Sequence, residues 1–148
     1  MSFTKNTYLN PAVCSFQIVN INDVAGITVG STASHRTVTF KSGKAWSPVY
    51  ATSGTIKYAD TPKKVGAGDY FEHRLVSYFP GNDIANLSDF DNIGNQRFLV
   101  RMVFTNGVSY IFGDMLNPAG ISKLFETEKG GNTITCYCDS VDKAFILT

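Results

Sequence analysis

Alternation of apolar and polar residues with a period of two is the feature that most constrains the fold of this chain. It is clearest in Asp69–Phe79, where one face carries a mostly apolar set of side chains: Phe71, His73, Leu75, Ser77 and Phe79. Successive side chains of a β-strand point to opposite faces, so this period predicts a strand. We expect the Phe71 face to lie in the core, and Pro80-Gly81 to end the strand because proline lacks an amide donor.

Two hairpins are predicted in the second half of the chain. Asn106-Gly107 separates two strand-like runs within Arg97–Asp114, and this dipeptide predicts a type I′ turn with positive φ at both residues. The first run has one apolar face, made of Phe98, Val100, Met102 and Phe104. A KGGN turn links the runs Ile121–Glu128 and Thr133–Asp139, and a last short strand is expected over Lys143–Leu147.

Three strands are predicted in the first half, at Ser15–Asn22, Ala25–Gly30 and His35–Phe40. Ser15–Asn22 has apolar residues on both faces, which predicts burial on both sides of the strand. From Trp46 to Pro62 the alternation weakens as serine, threonine, glycine and proline accumulate. Only two strand fragments are expected there, Val49–Thr52 and Thr55–Tyr58, inside a long loop over Ala45–Gly68.

A short helix is predicted over Asn82–Phe90, capped by Asn82 or Asp83. About eight to ten strands and closely spaced turns predict an all-β fold, mainly an antiparallel β-barrel or β-sandwich, with this one short α-helix. The length of 148 residues and a hydrophobic content of 43% suit a single β-rich domain over residues 1–148. Met1–Pro11 is predicted to be an extended N-terminal arm.

Charge and cysteine content exclude several classes of protein. A formal net charge of +1 argues against a dedicated nucleic-acid binder, which has a strong basic excess. We find neither a signal peptide nor an apolar run long enough to cross a bilayer, so no membrane partner is expected. The three cysteines, Cys14, Cys136 and Cys138, are expected to be reduced thiols of a protein assembled in the cytosol, with the last two buried.

No motif for a nucleophile, a zinc site or a phosphate loop occurs, so the sequence predicts no catalytic residue, metal or cofactor. His73 is a candidate general base, but a base needs a positioned partner, and Glu72 points to the opposite strand face. We therefore interpret His73 as a partly buried or interfacial histidine. An enzyme with a scattered site at Asp69, Glu72 and His73 is the least favoured hypothesis.

Aromatic residues make up 13% of the chain, more than one small core needs. Surplus aromatic residues on strands are typical of a second buried surface, either a ligand cleft or a subunit interface. The candidate interface or binding residues are Tyr8, Trp46, Tyr50, Tyr58, Tyr70 and Tyr78. The alternative to a subunit interface is a carbohydrate-binding module that stacks sugars on Trp46, Tyr50 or Tyr70.

The order of elements over roughly the last 80 residues resembles small virion proteins of tailed bacteriophages and prophages, particularly those of Bacteroides-type gut bacteria. The resemblance is carried by the break at Pro80-Gly81, the hairpin around Asn106-Gly107 that ends at Phe112-Gly113, Asn117-Pro118, and the final KGGN hairpin. It implies a tail-tube or tail-associated β-barrel or sandwich whose loops and arms bind neighbouring subunits.

A non-enzymatic structural subunit is therefore the leading hypothesis. It is expected to form a homo-oligomeric ring or tube and to contact other virion proteins, with DNA passing nearby and no sequence-specific binding. Its expected location is the virion, after assembly in the host bacterial cytoplasm.

Overall fold

The computed structural model describes residues 12–81 and 95–148. Within these ranges the chain forms eleven β-strands and one 3-10 turn, and no α-helix. The strands before the undescribed internal segment are β1 (Val13–Asn20), β2 (Val24–Val29), β3 (His35–Phe40), β4 (Ser47–Val49), β5 (Lys57–Val65) and β6 (Gly68–Pro80). Those after it are β7 (Phe98–Phe104), β8 (Ser109–Phe112), β9 (Gly120–Glu126), β10 (Gly131–Ser140) and β11 (Phe145–Leu147).

The strands form two sheets. The larger sheet has seven strands in the order β2-β3-β11-β8-β7-β1-β4, and the smaller has four in the order β5-β6-β10-β9. Neighbouring strands are antiparallel except β11 and β3, which are parallel. Among the described strands, no continuous strand pairing joins the two sheets. An isolated β-bridge between Phe98 and Ala119 links them. The all-β prediction is confirmed, and the described strands form two sheets that do not close into a barrel.

The main hydrophobic core lies between the two sheets. The larger sheet contributes Phe16, Val100 and Met102, which are fully or almost fully buried. The smaller sheet contributes Leu75 and Ile134, both with no exposed surface. Full burial of one such side chain stabilises the fold by about 1.5–3 kcal/mol, so packing between the sheets is the main source of stability.

A second, smaller core lies on the opposite face of β1 and β7. Val19 and Leu99 are buried there with Val24 at the start of β2. Trp46 and Phe40 pack against this cluster with their rings edge to face, 5.5 Å apart. The burial of β1 on both faces, which the sequence predicted for Ser15–Asn22, is therefore confirmed.

The Asn106-Gly107 hairpin is confirmed as β7–β8, but the predicted type I′ turn is wrong. Gly107 has a positive φ of +85°, but Asn106 does not, since every described residue with positive φ is a glycine. The Gly107 amide donates to the Phe104 carbonyl, and the Asn106 side chain accepts from the Val108 amide. The turn is therefore a type I turn followed by a left-handed glycine, a common way to close a longer hairpin loop.

The long loop predicted over Ala45–Gly68 is wrong, because β4 and the nine-residue β5 lie within it. β5 is an edge strand that contains Pro62, which is tolerated at a sheet edge. None of its nine residues is fully buried, so its alternation of apolar and polar residues is weak. The predicted helix over Asn82–Phe90 lies outside the described residues. The predicted arm over Met1–Pro11 lies outside them too.

Candidate functional site

His73 lies in the core between the sheets with 1% of its surface exposed. Its Nδ1 atom accepts a hydrogen bond from the Tyr58 hydroxyl at 2.7 Å, and its Nε2–H donates to the Asp142 carbonyl at 2.9 Å. The imidazole also stacks on the Phe112 ring, with 5.5 Å between the ring centroids. His73 is therefore more deeply buried than the partly buried or interfacial histidine that the sequence predicted, and its partner is a tyrosine and not a carboxylate.

Burial keeps this pair uncharged. It lowers the pKa of His73 below its ordinary value of 6.5, despite the carboxylates of Asp60 and Asp139, which act in the opposite direction. Burial is also the largest cause of the raised pKa of Tyr58, followed by the charge of Asp60. With both ring nitrogens in hydrogen bonds, His73 joins β5, β6 and the turn that leads to β11.

The buried cysteines are protonated thiols. Burial raises the pKa of Cys136 to about 12. The pKa of Cys138 is raised to about 11, first by burial and then by the charges of Asp114 and Asp139. Cys14 is exposed and none of the three cysteines is in a disulfide bond, and the predicted burial of Cys136 and Cys138 is confirmed. Nucleophilic chemistry needs a thiolate, which these two buried side chains do not offer at neutral pH.

Within residues 12–81 and 95–148, no three His, Cys, Asp or Glu side chains are grouped so that they could hold a metal ion. In the same ranges, no helix has the length and apolar character needed to span a membrane.

A set of tyrosine side chains lies on the outer face of the four-stranded sheet, opposite the core. Alternation along β6 and β10 places Tyr70, Tyr78 and Tyr137 there, because His73 and Cys138 point inward. We call these three residues the tyrosine face. None of them belongs to either hydrophobic core cluster.

The tyrosine face is held in place by local contacts. The Tyr78 hydroxyl donates to the Lys129 carbonyl at 2.5 Å. The Tyr137 ring lies over Gly120, where a Cβ atom would be 2.5 Å from the ring. Arg74 lies 5.8 Å from the centre of the Tyr137 ring. Tyrosine and arginine are enriched in protein interfaces, so these residues are candidates for a binding surface.

The other predicted site residues are distributed over different parts of the fold. Tyr58 is in the core with His73, and Trp46 packs on the smaller core. Tyr50 is 60% exposed and packs edge to face on Phe79. The structure thus brings Tyr70 and Tyr78 to one face and places Trp46 and Tyr50 against different clusters. Tyr8 lies outside the described residues.

Tyr137 was missed as a site residue. The signal was present in the sequence, because a strand that buries Cys136 and Cys138 must point Tyr137 to the opposite face.

Comparisons with protein-family models, with curated proteins and with solved structures find no match for this chain.

Proposed function

We propose that this chain is a non-enzymatic structural subunit of a bacteriophage or prophage virion. It is either a subunit of the tail tube or a protein associated with the tail. It assembles with copies of itself through sheet surfaces and hairpins and contacts other virion proteins, without sequence-specific binding of DNA. The virion assignment is supported by the resemblance of the C-terminal half to small tail proteins. The proposed architecture is a β-sandwich, supported by the core shared between the two sheets.

The tyrosine face is the observation that carries self-assembly. Tyr70 and Tyr78 are half-buried and Tyr137 is 37% exposed, on a sheet face that lies outside both cores. An antiparallel sheet normally has one face in the core and a polar face in water. Ordered aromatic rings on the second face therefore favour a sheet surface that is covered by another subunit.

The test is light scattering after size-exclusion chromatography over a roughly hundredfold range of concentration, because mass action drives self-association. Rings or tubes in negative-stain micrographs support the proposal. Tyr70→Arg should weaken assembly, since it places a charge on the tyrosine face. Val29→Arg is the matched control, because Val29 is exposed on the other sheet. A wild-type protein that stays monomeric at every concentration would contradict self-assembly.

Glycan binding is the second candidate, favoured by the exposed Tyr50 ring that Phe79 holds edge to face at 5.5 Å. Exposed aromatic rings of this kind stack on the apolar faces of sugars. Hits on a glycan array that disappear in Tyr50→Ala, from a protein that remains monomeric, would favour this function over assembly.

A further inference from the structure

The four-stranded sheet ends in two hairpin tips of opposite charge. The basic tip, residues 63–69, joins β5 to β6 and contains Lys63, Lys64 and Asp69, a net charge of +1. The acidic tip, residues 124–130, joins β9 to β10 and contains Glu126, Glu128 and Lys129, a net charge of −1.

Each tip contains charges that are balanced locally and one that is in excess. In the basic tip, Lys64 lies opposite Asp69 in the strand pairing, whereas Lys63 lies opposite the uncharged Tyr70. In the acidic tip, Lys129 forms an ion pair of 3.0 Å with Glu126, so Glu128 carries the excess. Lys63 and Glu128 are both exposed.

The two tips lie at diagonally opposite corners of the sheet. β5 and β9 are its two edge strands. Gly131 at the start of β10 pairs with Pro80 at the end of β6, whereas the basic tip precedes β6. The tips are therefore on opposite edges and at opposite ends, so they cannot contact each other within one chain.

Both tips also expose apolar side chains. Val65 in the basic tip is 53% exposed, and Leu124 and Phe125 in the acidic tip are 57% and 41% exposed. Apolar residues beside charges of opposite sign are suited to a contact in which burial supplies affinity and charge sets the orientation.

We propose that the basic tip of one copy binds the acidic tip of the next copy in a head-to-tail contact. This inference rests on the proposed self-assembly and names the surfaces that it uses. A contact between two different patches of the same chain continues from copy to copy, and it gives a ring if the rotation closes or an open stack if it does not. The occupant of each tip is therefore a second copy of this chain.

The test is a charge-swap experiment on the full chain. One variant makes the basic tip acidic, Lys63→Glu with Lys64→Glu, and the other makes the acidic tip basic, Glu126→Lys with Glu128→Lys. Lys41→Glu with Lys44→Glu is the matched control, since these exposed lysines lie between β3 and β4, outside both tips and outside the four-stranded sheet. Far-UV circular dichroism checks that each variant is folded.

Each tip variant alone should self-associate roughly tenfold more weakly than wild type, because like charges then meet at every contact. A 1:1 mixture of the two variants should recover assembly. One variant has two acidic tips and the other has two basic tips, so an acidic tip can meet a basic tip at every contact. The control should assemble as wild type does, and wild-type assembly should weaken as salt is raised.

Tip variants that assemble as well as wild type, or a mixture that does not recover, would overturn the head-to-tail contact and leave the proposed function standing. A wild-type protein that never self-associates would overturn the proposed function and this contact together.

Discussion

The Tyr58 hydroxyl donates a 2.7 Å hydrogen bond to the Nδ1 atom of His73, and this contact links an edge strand to its neighbour inside the core. The other ring nitrogen of His73 holds the Asp142 carbonyl, three residues before β11. β11 lies between β3 and β8 in the larger sheet. One buried imidazole therefore connects the smaller sheet to the turn that places a strand in the larger sheet.

Stability should fall as pH decreases through and below 6.5. The pKa of His73 is lowered in the folded protein, so the unfolded chain binds more protons in that range and stability rises with pH. Urea unfolding at pH 7.5 and pH 5.5 measures the effect. His73→Gln should be less stable at pH 7.5 but should lose less stability on acidification, and equal losses in the two proteins would refute the assignment to His73.

Tyr58→Phe should destabilise the protein by about 1–3 kcal/mol, because it removes the donor to a buried ring nitrogen. Tyr50→Phe is the control, since the exposed Tyr50 should change the free energy of unfolding little. Chemical denaturation of both variants at pH 7.5 gives the comparison. Equal values for the two substitutions would show that the Tyr58–His73 contact contributes no net stability.

Gly113→Ala should be more destabilising than Gly43→Ala by about 1 kcal/mol or more. Both glycines have positive φ, +86° and +76°, so both substitutions strain the backbone. A Cβ at Gly113 would also lie 3.1 Å from the Phe98 carbonyl oxygen, whereas nothing lies within 4 Å of one at Gly43. Thermal or urea unfolding measures the difference, which would vanish if the Phe98–Ala119 bridge could shift freely.

Thiol reagents should modify one cysteine per chain in the native protein and three after unfolding. Cys14 is exposed, whereas Cys136 and Cys138 are buried and their pKa values are raised. Titration with a chromogenic disulfide reagent, with and without denaturant, counts the reactive thiols. Cys14→Ser should remove the native reaction, and a fast residual reaction would contradict the burial of the other two.

The assignment of faces along the strands could be predicted because it depends on local alternation. His73, Leu75 and Ser77 lie in the core as the pattern of Asp69–Phe79 indicated. β5 could not be predicted in the same way. Its residues lie at an exposed edge, where Pro62 is tolerated and few side chains are buried, so alternation of apolar and polar residues is not required.

The sequence by itself determined the all-β class, the hairpins and the inward direction of the cysteines, because period-two alternation and turn residues act over a few neighbouring positions. Only the tertiary structure decided which strands share a sheet, that Tyr58 is the partner of His73, and that Tyr137 lies with Tyr70 and Tyr78. These relationships join residues far apart in the chain. They depend on how two sheets bury a common core, which no local pattern records.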